Sequence, residues 1–154
     1  MLDRLFPQRF DNEYRGSKIA LWLFGLLVAM RTVIGVNSIF NARLVASSAD
    51  GIPIDTFSPA GAQAVVALFA LLGLSHVVIG LICILALIRY RSMIPFLFAL
   101  LLFAHLCGRL IGRFLPIPRA GAPPASAINL VLLAVMVVGL ALSLWSRDSV
   151  RPRG

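Results

Sequence analysis

Five side chains in this 154-residue sequence carry charge or a titratable ring inside apolar runs: Arg31, His76, His105, Arg109 and Arg113. A charged residue at the centre of a membrane helix costs roughly 2.5 to 3.5 kcal/mol on insertion scales, so such groups face a protected interior or reach an interface. His105, Arg109 and Arg113 recur every four residues within 92–115, SMIPFLFALLLFAHLCGRLIGRFL, and therefore fall on one side of a helix. Guanidinium and imidazole donors together can hydrogen-bond an anion or a quinone-like carbonyl. Two histidines are also what a bis-His haem would need. Other chemistry lacks its residues. There is no GxSxG, no HExxH and no Walker-type loop, and no Asp or Glu lies within an apolar run. Cys83 and Cys107 sit in separate runs without a CxxC pair, the pattern of small buried apolar residues.

The elements that hold these residues follow from composition. With 60% hydrophobic and 13% charged residues the chain is read as an integral membrane protein in a lipid bilayer. The net charge of +8 is assigned to topology and anionic headgroups, not to nucleic acid, because the basic residues cluster beside the apolar runs. The expected fold class is all-α, an antiparallel four-helix membrane bundle forming one domain over 1–154. Its spans are expected at about 19–40, 60–88, 93–115 and 125–145. Ser17 reads as the cap of the first span, and Ser58 with Pro59 as the start of the second.

Between the spans, the loop 41–58 with its Gly and two prolines reads as ordered turns capping the bundle mouth. The RYRS turn at 89–92 is too short for anything but antiparallel neighbours in spans two and three. Residues 1–18 read either as an interfacial helix or as a disordered tail, and 146–154 as a basic tail. Nine basic residues fall in the N-terminal segment, the RYRS turn and the tail, against Arg43 and Arg119 in the other loops. By the positive-inside rule both termini are cytoplasmic and the loops 41–58 and 116–124 face outward.

Counting from the cytoplasmic ends gives depth. His76 lies thirteen residues before Arg89, His105 thirteen after Ser92 and Arg31 thirteen after Lys18, which puts all three about 20 Å from that side at ~1.5 Å per residue. Arg109 and Arg113 lie successively further out, with Asn37, Asn41 and Asn129 at the outer ends of other helices. Gly35, Gly73, Gly80, Gly108 and Gly112 are the expected helix-packing positions.

Three readings follow. Arg109 and Arg113 reach the outer headgroups and the histidines are neutral bundle glue; or Arg31, His76, His105, Arg109, Arg113, Asn37 and Asn129 line an outward-opening polar site for an anionic small molecule or lipid or a quinone-like ligand; or His76 and His105 ligate haem. The function expected is a non-catalytic ligand-binding or accessory membrane protein without a required metal or cofactor, in a larger membrane complex or a homo-oligomer. The alternative is a redox-linked subunit binding quinone or haem.

RTVIG in the first span, GLSHVVIG in the second and GRLIGRFL before a Pro and Gly loop in the third resemble the small bacterial four-helix membrane proteins of the DoxX-like group and adjacent families of unknown function. The resemblance implies a bacterial inner-membrane protein, sometimes an accessory or quinone-linked subunit, and singles out Arg31, His76 and Arg109. No intramembrane acidic residue and no redox cysteine pair accompanies these motifs.

Overall fold

The computed structural model describes residues 5, 11–14, 16–119 and 123–145. Among them the chain is all-helical, with no strand. Four helices are long and apolar enough to cross a membrane, the pattern of a multi-pass membrane protein. They are α1 (Lys18–Phe40), α2 (Pro59–Arg89), α3 (Ile94–Phe114) and α4 (Pro124–Leu144). Their starts have local causes. The Ser17 hydroxyl accepts from the Ile19 N–H, and the Ser58 hydroxyl accepts from the Gly61 N–H with Pro59 in the first turn. Pro95 and Pro124 open α3 and α4, where a missing N–H costs nothing. The proposed N-terminal interfacial segment and the basic tail lie largely outside the described residues.

The loop 41–58 is ordered. A single helical turn (Ala42–Leu44) runs into a π-helical stretch (Val45–Ala49), Gly51 takes a left-handed φ of 72°, and a 3-10 turn (Ile54–Thr56) follows. Ala46, Ile52 and Ile54 are buried against Ala62 and the flanking Val65, Val66 and Phe69, so the loop lies on the first turns of α2. Arg43 and Asp55 pair at 2.8 Å on the exposed surface of this cap. Burial pushes the Asp50 carboxyl above its ordinary range, against the pull of the Arg119 charge from the loop after α3.

At the opposite end the first segment is stitched to two others. The Ser92 hydroxyl donates to the Asp11 carbonyl at 2.9 Å, the Asp11 N–H donates back at 3.1 Å, and the Ser17 N–H donates to the Leu142 carbonyl at 3.3 Å. The entry to α1, the 89–92 turn and the end of α4 therefore share one end, here called the turn end. The main core belongs to it: Phe24, Leu27 and Val28 of α1, Cys83 and Ala86 of α2, Ile94, Leu97, Phe98 and Leu101 of α3, and Leu132 and Met136 of α4. Phe24 and Phe98 meet edge to face at 5.0 Å. Phe98 lies where a side chain on Gly139 would otherwise stand.

Packing order differs from the expectation drawn from the short turn. α1 packs extensively on α2 and also on α4, α4 packs on α3, but α2 and α3 make only slight direct contact. The cause is that the small face of α2 is occupied by α1. A Cβ at Gly73 would stand 2.6 Å from the Gly35 carbonyl oxygen, and one at Gly35 would stand 2.8 Å from the Gly73 carbonyl oxygen. A Cβ at Gly80 would collide with the Thr32 hydroxyl, which donates to the Val28 carbonyl at 2.8 Å. In contrast, nothing lies within 4 Å of the Cβ positions of Gly108 and Gly112. Beyond Leu101, α3 is exposed except at the partly covered Leu102, His105 and Cys107.

Two outcomes follow from this packing. Gly73→Ala and Gly35→Ala press a methyl on facing backbone, which cannot yield as a flexible side chain does. Each should lower the thermal unfolding midpoint in detergent, by an overpacking cost of about 1 to 3 kcal/mol, while Gly112→Ala leaves it unchanged or raises it. Equal effects at Gly73 and Gly112 would overturn the asymmetry. Tyr14 supplies the second. Its phenol is partly buried with its oxygen lacking a partner, and burial pushes its pKa from 10.0 up to about 12. An acid whose pKa is raised on folding leaves stability intact below the unfolded value and costs stability as pH climbs toward the folded one. In a Tyr90→Phe variant, absorbance at 295 nm should show Tyr14 ionising around pH 12 when folded and around pH 10 when denatured, with stability falling over that window. A folded midpoint near 10 would refute the burial.

Candidate functional site

The α1–α2 contact brings Arg31 to His76. Gly35 lies one turn beyond Arg31 on α1, and its open side receives the His76 Cβ and Val77. The two helices therefore approach closely where both polar side chains project, and Arg31 Nη2 lies 3.4 Å from His76 Nε2. A guanidinium only donates, so this contact requires His76 Nε2 to carry its lone pair and Nδ1 to hold the ring proton. His76 is thus neutral in this arrangement.

His105 of α3 completes the centre. The charge of Arg31 acts on His76, His105 and Cys83, and that of Arg109 acts on His105, so these side chains share one electrostatic neighbourhood. Arg31 Nη1 and His105 Nε2 are both buried and neither has a hydrogen-bond partner. Two such atoms in one neighbourhood are unusual, because a buried donor or acceptor without a partner costs about 1 to 3 kcal/mol.

The centre sits at a boundary. Toward the turn end lie Val28, Cys83 and Leu101 of the core; toward the loop end α1 and α2 stay in close contact through Gly35, Gly73 and Ser38, while α3 is largely exposed. Arg109 and Arg113 continue along α3 past His105, both exposed. Asn37 and Asn129 are exposed as well, and Asn37 is engaged locally, accepting at 2.8 Å from the Asn41 amide. Asp55 is held by Arg43 and Asp50 feels Arg119, so the charges of both loop carboxylates are engaged within the loops. A separate open groove of about 500 Å³ between the end of α1 and the start of α2, lined by Phe40, Asn41 and Gln63 among others, holds none of the intramembrane charges.

Sequence reasoning passes over Thr32; it places Ser38 on one face with Arg31 and Gly35, and Cys83 on one narrow small-residue face with Gly73, His76 and Gly80. Thr32 and Ser38 face Gly80 and Gly73, and Cys83 is within electrostatic reach of Arg31. The signal for Ser38 and Cys83 is helical spacing: Ser38 follows Arg31 by seven residues and Cys83 follows His76 by seven. Among the described residues no group of three His, Cys, Asp or Glu side chains is placed to hold a metal ion. Comparison with family models, with curated proteins and with solved structures finds no match.

Arg31 carries a charge with one weak contact and a partnerless nitrogen, so removing it relieves desolvation instead of breaking a network. Arg31→Leu should therefore keep or raise the unfolding midpoint in detergent. A collapse of the fold, with His105→Leu tolerated, would show instead that Arg31 is structural.

Proposed function

We propose that this chain is a non-catalytic ligand-binding or accessory membrane protein whose Arg31–His76–His105 centre receives an anionic or carbonyl-bearing small molecule. The observation that carries this reading is the pair of buried, partnerless atoms, Arg31 Nη1 and His105 Nε2, in one neighbourhood that contains no carboxylate from the helices. An acceptor held between them would satisfy both when His105 carries its ring proton on Nε2. Arg31 supplies charge, His76 orients Arg31 through its lone pair, and His105 supplies the second polar contact. Arg109 extends the positive field toward the loop end, with Arg113 beyond it.

The surrounding reading is an antiparallel bundle in a bacterial inner membrane with the turn end cytoplasmic, supported by the nine basic residues that the sequence carries in 1–18, in 89–92 and after α4. The resemblance of RTVIG, GLSHVVIG and GRLIGRFL to the DoxX-like group singles out Arg31, His76 and Arg109 independently of the geometry. A quinone is compatible with the donor pair, since its carbonyls accept from such groups. Haem is less well supported. His76 Nε2 faces Arg31, and the His76 Cβ sits against Gly35 in the tight helix pair, which leaves no space there for a macrocycle.

The test is a thermal-shift series on purified protein with anionic and neutral apolar compounds of matched size. Anionic members should raise the midpoint of the wild type, and the shift should vanish in Arg31→Leu and His105→Leu. Neutral compounds acting equally well would overturn the reading. The purified protein is expected to be colourless; a Soret band lost in His76→Ala would establish the haem alternative instead.

A further inference from the structure

We propose that the loop-end half of α3 is a docking face for a transmembrane helix of another protein, one that carries an Asp or Glu level with Arg109. The inference goes beyond the Arg31–His76–His105 centre and stands without its ligand.

The loop-end halves of α3 and α4 lie outside the packed core, which ends at Leu101 on α3 and begins at Leu132 on α4. From Gly108 to Phe114 every residue of α3 is exposed, and so is every residue of α4 from Ser126 to Val131. A run of that length on α3 is about two turns of helix, so none of its sides is covered. At the same end α1 and α2 close on each other at Gly35 and Gly73, and Ile52 and Ile54 of the cap cover the first turns of α2.

Charge names the occupant. Arg109 and Arg113 lie one turn apart on the uncovered stretch, and neither guanidinium has a hydrogen bond or an ion pair among the described residues. No acidic residue occurs in any of the four helices. Asp55 and Asp50 are engaged with Arg43 and Arg119, and Asp11 and Glu13 stand at the turn end. A charge in hydrocarbon is costly until a partner meets it. Arg113, in the last turn of α3, has headgroups within reach. Arg109 is one turn deeper, and its Cα–Cβ bond tilts toward the N-terminus of α3, away from those headgroups. A carboxylate on a neighbouring helix meets it at its own depth, in the bidentate pair that arginine makes with such groups.

A second copy of the chain does not fit, because it brings Arg109 and Arg113 against themselves and supplies no acid from its helices. The partner helix also has room to come close. Gly108 and Gly112 adjoin the two arginines, and nothing lies within 4 Å of the places where their Cβ atoms would stand. An incoming backbone can therefore approach near enough for a short acidic side chain to reach Arg109.

The experiment reconstitutes the full chain in phosphatidylcholine vesicles with a dye-labelled synthetic helix of about 20 Leu and Ala residues. One host helix has a Glu about five residues from each end, so that either orientation sets a carboxylate level with Arg109. Control hosts have Lys or Leu at those places. Energy transfer from the tryptophans of the full chain to the dye reads association. The Glu host should bind about ten-fold more tightly than the Leu host, the factor of one charge-assisted contact, and the Lys host no better than the Leu host. Arg109→Leu should abolish the preference for Glu with no loss of melting temperature, since its side chain is exposed and unpartnered. Gly108→Phe, placed in open space, should weaken binding of the Glu host, and Arg31→Leu should leave the preference intact. Glu and Leu hosts binding equally, or neither binding, would overturn the proposal and leave Arg109 to the headgroups. A preference that survives Arg109→Leu would overturn it as well. A preference lost in Arg31→Leu would overturn it by moving the carboxylate to the centre, and displacement of the Glu host by unlabelled full chain would overturn it in favour of a second copy.

Discussion

The structure depends on one close approach, the backbone of α1 against that of α2 at Gly35 and Gly73. Between apolar helices in hydrocarbon there is no solvent-driven attraction, so association relies on packing contact at short range. Two glycines facing each other's carbonyls provide it, and Ser38 and Thr32 extend the seam with small side chains on either side. Once α2 is committed to α1, its small face is used. The 89–92 turn can then bring α3 near without packing it on α2, and α3 finds its partner in α4.

This arrangement explains why a polar centre can exist at all. Arg31 and His76 are placed side by side because they flank the glycine contact, not because they attract each other strongly; a 3.4 Å contact between a guanidinium and a neutral imidazole is weak. Below them the core is filled by Phe24, Phe98, Leu101 and Met136, which excludes water and lipid alike. Above them α3 runs exposed. The centre therefore lies where the packed core ends and the exposed stretch of α3 begins.

The long elements were legible in the sequence because length, hydropathy and the Ser–Pro starts are local signals. Counting from Lys18, Arg89 and Ser92 brought Arg31, His76 and His105 to one level, since a helix converts residue number into height almost without error. Rotation is another matter. Gly73 and Gly80 on α2, like Gly108 and Gly112 on α3, are small pairs near a His or Arg, yet one pair is packed on α1 and the other meets nothing. A spacing says that a helix can come close, and not that one does. The role of Gly139 was equally invisible, because a glycine in an apolar run does not announce that a phenylalanine forty-one positions earlier fills its place. The adjacency of α2 and α3, inferred from a four-residue turn, failed because a short connection fixes proximity at one end only.

The length of α2 has a consequence for the membrane itself. At 31 residues it extends about 46 Å at 1.5 Å per residue, well beyond the roughly 30 Å of a hydrocarbon core. An overlong apolar span ordinarily tilts or thickens the lipid around it. Here the first turns of α2 are covered by Ile52, Ile54 and Ala46 of the preceding loop, so part of its surplus apolar surface is wetted by the protein's own side chains. At this end of α2, apolar surface that a helix of this length would otherwise offer to its surroundings is covered from within the chain.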